Sequence, residues 1–258
     1  MFKTLLASLG VGAAKIDLIL DDATVTMGQP VNGKLVLTGG NVGQKIEKLT
    51  VEFHVTSAFQ RGDQTIYVDD TVSTIPVTMD SFTIHPGEVQ EFSFSFVCPA
   101  YLPVSSVHTR YDFRSNLAIA AGIDAKDRDT VVVRPQGLLR NFLEGFQRLG
   151  FIPRSEGYTG IRNGGVQIIQ FQPTDWMRGA FDEVVFSYTP ARTQERIEGH
   201  FELDKKTQGL IGMLADHLDL DEKKGYFRFE AAELATVEQA AETIKRFIER
   251  NTQGLITG

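Results

Sequence analysis

From Leu49 to Val55 the chain reads Leu-Thr-Val-Glu-Phe-His-Val, with apolar and polar side chains in strict alternation. Successive side chains of a strand point to opposite sides, so this period of two suits a strand with one face on a core and one in water. Phe92–Phe96 repeats the pattern with three phenylalanines against two serines, and Ala14, Ile16, Leu18 and Leu20 repeat it near the start. Turn signals separate these runs: Gly28-Gln29-Pro30, Gly39-Gly40-Asn41, Arg61-Gly62-Asp63 and His85-Pro86-Gly87. Many strands with frequent turns and no long helical period imply a sandwich or a barrel.

The period changes after the strand Thr130–Val133. Pro135 opens a helical segment that runs to about Leu149 and is closed by Gly150. Leu138, Phe142 and Phe146 fall four apart with Leu139 and Leu143 beside them, which gives one wide apolar face. This helix between two strand-rich stretches marks a domain boundary, with domains at 1–134 and 135–258. A chain of 258 residues is long enough for two domains, each with its own core. Strands resume at Val166–Phe171, Val184–Tyr188, Ile197–Leu203 and Tyr226–Phe229, and a short helix is expected over Leu210–His217. A last helix starts near Thr236, where Gln239 sits at capping-box spacing, and ends at Gly254. Leu234, Val237, Ala241, Ile244 and Ile248 form its apolar stripe, which Phe247 widens.

Composition removes several function classes. The net charge of −7 is shared between the halves, −4 over residues 1–135 and −3 over the rest, so no basic nucleic-acid-binding module hides in an acidic average. Cys98 is the only cysteine, which excludes an internal disulfide and thiol metal clusters, and Phe96-Val97-Cys98-Pro99 reads as the buried end of a strand. No apolar run reaches the length needed to span a bilayer, and the chain reads as cytoplasmic. Gly-x-Ser-x-Gly, His-Glu-x-x-His and phosphate-loop motifs are all missing. The five histidines have no metal-ligand spacing, and His54 falls on the polar side of its alternating strand, as a surface histidine would. Trp176 reads as a half-buried core aromatic.

Two segments stand out as candidate sites. Asp124, Asp127 and Asp129 could offer three oxygens to a divalent ion, but the interleaved Lys126 and Arg128 favour a charged hairpin turn. Phe2, Leu5, Leu6 and Leu9 share one face of a short N-terminal helix, suited to docking within the fold or on a partner.

The opening run Lys3–Asp17 is similar to the start of the bacterial sporulation-control protein family. Gly28–Leu35 matches its next turn and strand, and Phe82–Glu88 leading into Phe92–Phe96, then Pro99, Leu102-Pro103 and Tyr111, resembles the wider arrestin-like pattern. Gly122–Asp129, Asp182-Glu183-Val184, Leu203–Lys206 and Gly209-Leu210 extend the resemblance over most of the chain, with departures at Gln29 and Cys98. It implies a mainly β chain of two arrestin-like β-sandwich domains, with a short helix between them and short helices at the ends. It further implies a non-enzymatic regulator or adaptor in developmental or stress regulation. Such a protein acts through protein–protein contacts, with no catalytic residues and no cofactor. The expected partners are one or more proteins of unstated identity or a second copy of the chain, not nucleic acid. The alternative is a module that binds a small molecule or divalent metal in an inter-domain cleft or at the acidic turn.

If Phe94 is buried as its alternation requires, Phe94→Ala destabilises its domain by about 3–5 kcal/mol in chemical denaturation. A loss under about 1 kcal/mol contradicts that face assignment.

Overall fold

The computed structural model describes residues 12–61, 63–120, 122–193, 195–205 and 222–252. The apolar face of Phe2, Leu5, Leu6 and Leu9, the helix expected over Leu210–His217 and the stop at Gly254 lie outside the described residues. The fold is mainly β, and the chain divides into two compact units. The first comprises Met1–Thr56, Asp69–Pro99 and Arg110–Val133; the second comprises Ser57–Val68, Ala100–Thr109 and Arg134–Gly258.

In the first unit, β1 (Lys15–Leu20), β3 (Pro30–Thr38) and β7 (Val89–Val97) form one antiparallel sheet in the order β1–β3–β7. The other sheet has the order β2 (Thr24–Thr26), β9 (Ala125–Arg134), β8 (Arg110–Ile119), β4 (Gln44–Arg61), β5 (Gln64–Thr78), with β6 (Phe82–Ile84) paired onto β4. The alternation of Leu49–Val55 does what it promised, for Leu49, Val51, Phe53 and Val55 are all fully buried. Phe53 stacks on Phe113 at 4.7 Å and on Tyr111 at 5.2 Å, while Phe94 from the opposite sheet meets Phe113 edge-on at 5.6 Å. Phe94 is 3% exposed, whereas Phe92 and Phe96 on the same side are only half-buried. Cys98 follows β7 directly and is buried, and burial pushes its thiol up to about 12.

His54 departs from its surface reading. It is 7% exposed, with Nδ1 3.0 Å from Asp69 Oδ1 and Nε2 3.1 Å from Glu52 Oε2. Asp69, Glu52 and Thr71 surround its ring, and Arg114 Nη1 pairs with Asp69 in turn at 3.0 Å, so its strand face is polar and covered at once.

The second unit is an antiparallel meander of β10 (Phe151–Tyr158), β11 (Gln167–Pro173), β12 (Phe181–Tyr188), β13 (Arg196–Lys205) and β14 (Glu222–Glu230), paired in chain order. Helices α1 (Gly137–Arg148) and α2 (Val237–Thr252) cover one face. Phe146 of α1 stacks on Phe171 at 4.2 Å, Phe142 lies over Phe227, and Phe247 of α2 meets Phe201 at 4.9 Å. Gly150, at φ 78°, ends α1 in the left-handed conformation that costs glycine nothing. Thr236 Oγ1 accepts the Gln239 N–H at 3.2 Å at the head of α2, as the capping spacing predicts. Trp176 is half-buried with its edge on Phe151 at 5.9 Å.

Where β10 borders the segments Ser57–Val68 and Ala100–Thr109, the unit is held by a buried carboxylate. Glu156 is 3% exposed, and its oxygens accept the His108 and Thr109 N–H groups at 3.0 Å, the Gln167 amide at 2.8 Å, and the Thr109 hydroxyl. Gln167 is fully buried and makes four bonds: Nε2 donates to Glu156 and the Val104 carbonyl, and Oε1 accepts the Val104 N–H and the Tyr188 hydroxyl. Burial and the charge of Glu156 push the Tyr188 phenol well above its ordinary value. The Thr109 hydroxyl, which donates to Glu156, accepts from Ser57 at 2.9 Å, and Ser57 in turn accepts the Tyr158 N–H.

Removing the acceptor strands all these donors, and an unmet buried donor costs about 1–3 kcal/mol. Glu156→Ala should therefore cost about 3 kcal/mol or more in urea unfolding, while Lys34→Ala at an exposed ion pair stays under about 1 kcal/mol. Equal, small losses for both would show that the carboxylate does not hold the unit together.

Candidate functional site

The face of the second sheet that the helices leave open carries the half-buried Ile168, Gln170, Glu183 and Val185. Beside them run the end of β4 and the start of β5, which supply Phe59 and Tyr67. Gly157 permits that approach, because a side chain there would stand 2.3 Å from the Ala58 carbonyl oxygen. The result is a groove of about 510 Å3, within the range of sites that take small molecules or side chains of a partner. Tyr67 projects at its rim and is 83% exposed.

Among the described residues, the titratable groups lining the groove are Glu156, Glu183, Tyr67 and His108, and the Arg61 guanidinium lies over the Phe59 ring of its wall at 5.5 Å. The lone pairs of Glu156 are engaged by the network beneath, so Glu183 is the carboxylate with capacity left, one oxygen accepting from the Gln170 amide. A groove walled by Phe59, Tyr67, Ile168 and Val185, with a carboxylate at one side, suits a cationic side chain next to an apolar one.

A second polar cluster lies on the outer face of the first unit. Asp112 is 1% exposed and accepts Arg114 Nε and Arg128 Nη2, both at 2.6 Å, and Arg114 Nη1 reaches Asp69 at 3.0 Å. Burial raises the Asp69 carboxyl, but hydrogen bonds from Arg114 and His54 more than offset this and hold it below its ordinary value. Thr71 Oγ1 stands 3.4 Å from His54 Nε2, so Thr71, His54 and Asp69 follow the order of a nucleophile triad. Glu52 caps the same Nε2 at 3.1 Å, however, and the nitrogen that would take a proton is already engaged. These charges satisfy one another and form a ladder rather than a site.

The three aspartates singled out in the sequence are separated by their surroundings. Asp124 precedes β9 and accepts the Ile119 N–H at 3.1 Å, whereas Asp127 and Asp129 lie inside β9, so the turn is shorter than the charge pattern suggested. Among the described residues no three histidine, cysteine or acidic side chains converge as metal ligands would, and no helix is long and apolar enough to cross a membrane. No sequence motif marks Glu156 or Tyr67, and Glu183 stands out only within the family resemblance, not as a site residue. The one signal for them was Gly157, a glycine inside a strand, which marks a close backbone approach.

Comparison with known proteins places this architecture. The family model described as SpoOM protein (Spo0M) matches residues 2–207. The chain is 29% identical to sporulation-control protein Spo0M of Bacillus subtilis (strain 168) over 255 residues, 96% of this chain and 98% of that protein. The crystal structure of Spo0M from Bacillus subtilis superposes with a TM-score of 0.73 at 28% identity, covering 93% of this chain and 99% of that one. The chain belongs to the Spo0M family of sporulation-control proteins.

Proposed function

We propose that this protein is a cytoplasmic, non-enzymatic regulator of the sporulation-control type that acts by binding a protein partner, and that the groove beside Tyr67 is its contact surface. The observation that carries the reading is the combination of an open, acidic-sided apolar groove with a rigid floor fixed by Glu156 and Gln167. Family membership supports the regulatory role. The absence of catalysis is supported by how the candidate nucleophiles are used. The Cys98 thiol is buried and held in its neutral form by a pKa of about 12, and the Thr109 and Ser57 hydroxyls are consumed within the buried network. The His54 ring is clasped between carboxylates.

The partner segment is extended and presents a lysine or arginine beside an aromatic or aliphatic residue. The cation sits at Glu183 and the apolar side chain lies between Tyr67 and Val185. Selection from a random-peptide display library tests this directly. Wild-type protein should enrich basic–apolar pairs, Glu183→Lys should abolish that enrichment, and Tyr67→Ala should weaken binding by about tenfold, a typical loss for an exposed aromatic anchor. Enrichment of acidic peptides, or equal enrichment by wild type and Glu183→Lys, rules this surface out.

A further inference from the structure

The first unit contains a pair of carboxylates that its structural role does not explain. Asp127 and Asp129 share a face of β9 with Val131 and Val133, which are buried, so both acids point toward the core side. In register they stand opposite Ser115 and Phe113 of β8. Asp127 Oδ2 accepts the Leu18 N–H at 2.9 Å, a contact that ties β1, the edge strand of one sheet, to β9 of the other. Among the described residues, Asp129 Oδ2 and Ser115 Oγ are buried with no hydrogen-bond partner. Two adjacent carboxylates have no donor between them unless one carries a proton, and a buried acceptor without a donor is costly.

We propose that Asp127 and Asp129 share one proton, that this proton latches β1 to β9, and that its loss loosens β1 from the seam. With the proton on Asp129, its hydroxyl donates to Asp127, which leaves Asp127 Oδ2 free to hold Leu18. Without it, two like charges face each other at the seam, and Asp17 of β1 adds a third. The other neighbours do not relieve this. Ser115 and Phe113 are uncharged; Lys126 and Arg128 lie on the opposite face of β9, with Arg128 bound to Asp112 at 2.6 Å. On β1, Lys15 stands two residues from Asp17 on its exposed side, and the short β2 contributes no charged side chain.

Burial, then the charge of Asp127, its hydrogen bond and the charge of Asp17 raise the Asp129 carboxyl to about 7. The folded value lies above the unfolded one of about 3.9, so the closed state binds more protons between those limits. The stabilisation is complete below about pH 4 and is lost as pH rises through about 7, beyond which stability no longer changes on this account. One proton released on opening makes the opening equilibrium rise by about tenfold per pH unit at its steepest.

Native-state hydrogen exchange at the Leu18 amide reads the latch. After correction for intrinsic exchange, wild-type protection should fall by up to about tenfold per unit between pH 5 and 7 and level off above. Asp129→Asn supplies a permanent donor to Asp127, and its Leu18 protection should stay at the low-pH level throughout. A flat wild-type profile, or an equal slope in Asp129→Asn, overturns the proposal. Should that variant not fold, carbon-13 NMR titration of the wild-type aspartates decides instead. One carboxyl titrating near 7 supports the latch, and midpoints all below 5 overturn it.

Discussion

A buried carboxylate governs the second unit. Glu156 sits in β10 with only 3% of its surface exposed, and the donors that meet it come from Thr109, His108 and Gln167, far apart in sequence. Taking such a group out of water is expensive, and the expense is recovered only if its donors are all in place together. That condition fixes the segment Ala100–Thr109 against the sheet, and through Ser57 it fixes the end of β4 as well. The groove wall formed by Phe59 and Tyr67 is thus set by polar chemistry, although its surface is largely apolar. A groove built this way is preorganised, so a group that entered it would not spend free energy on ordering it.

The helices solve a different problem. A single meander with one apolar face needs a cover, and α1 and α2 provide it with Phe142, Phe146 and Phe247 against Phe171, Phe186, Phe201 and Phe227. Asn141 adds registry by donating to the Leu234 carbonyl at 2.8 Å and the Ala235 carbonyl at 3.1 Å, which positions the approach to α2. The face opposite the helices stays open and polar, with charges paired along the strands, as in Arg196 with Glu198 and Arg228 with Glu230. Such solvent-accessible or partly covered pairs add solubility and little stability. The groove occupies the end of that face where neighbouring segments rise beside it.

What could be read from the chain was what depends on local period. Strands announced themselves because alternation of Leu49–Val55 and Phe92–Phe96 is a property of consecutive residues, and both long helices because Phe142 and Phe146, or Ile244 and Ile248, recur at helical spacing. The features missed depend on partners distant in sequence. His54 lies on a polar strand face and is buried nonetheless, because Asp69 and Thr71 of β5 meet its ring and Arg114 of β8 pairs with that Asp69. Glu156 reads as an ordinary strand acid, since nothing local shows that Thr109 and Gln167 converge on it. Asp127 and Asp129 read as part of a charged turn, although their parity with Val131 and Val133 points them inward. Composition draws the eye to charge, and it is register that decides where the charge goes.

The central claim is that a partner protein docks in the groove beside Tyr67. Its most direct test places a photo-crosslinking amino acid at position 67 and, as a control, at the exposed position 140 on α1, in cells that make the protein. The account predicts a discrete crosslinked partner from position 67 and none from position 140. No product from position 67, or the same products from both positions, would contradict it.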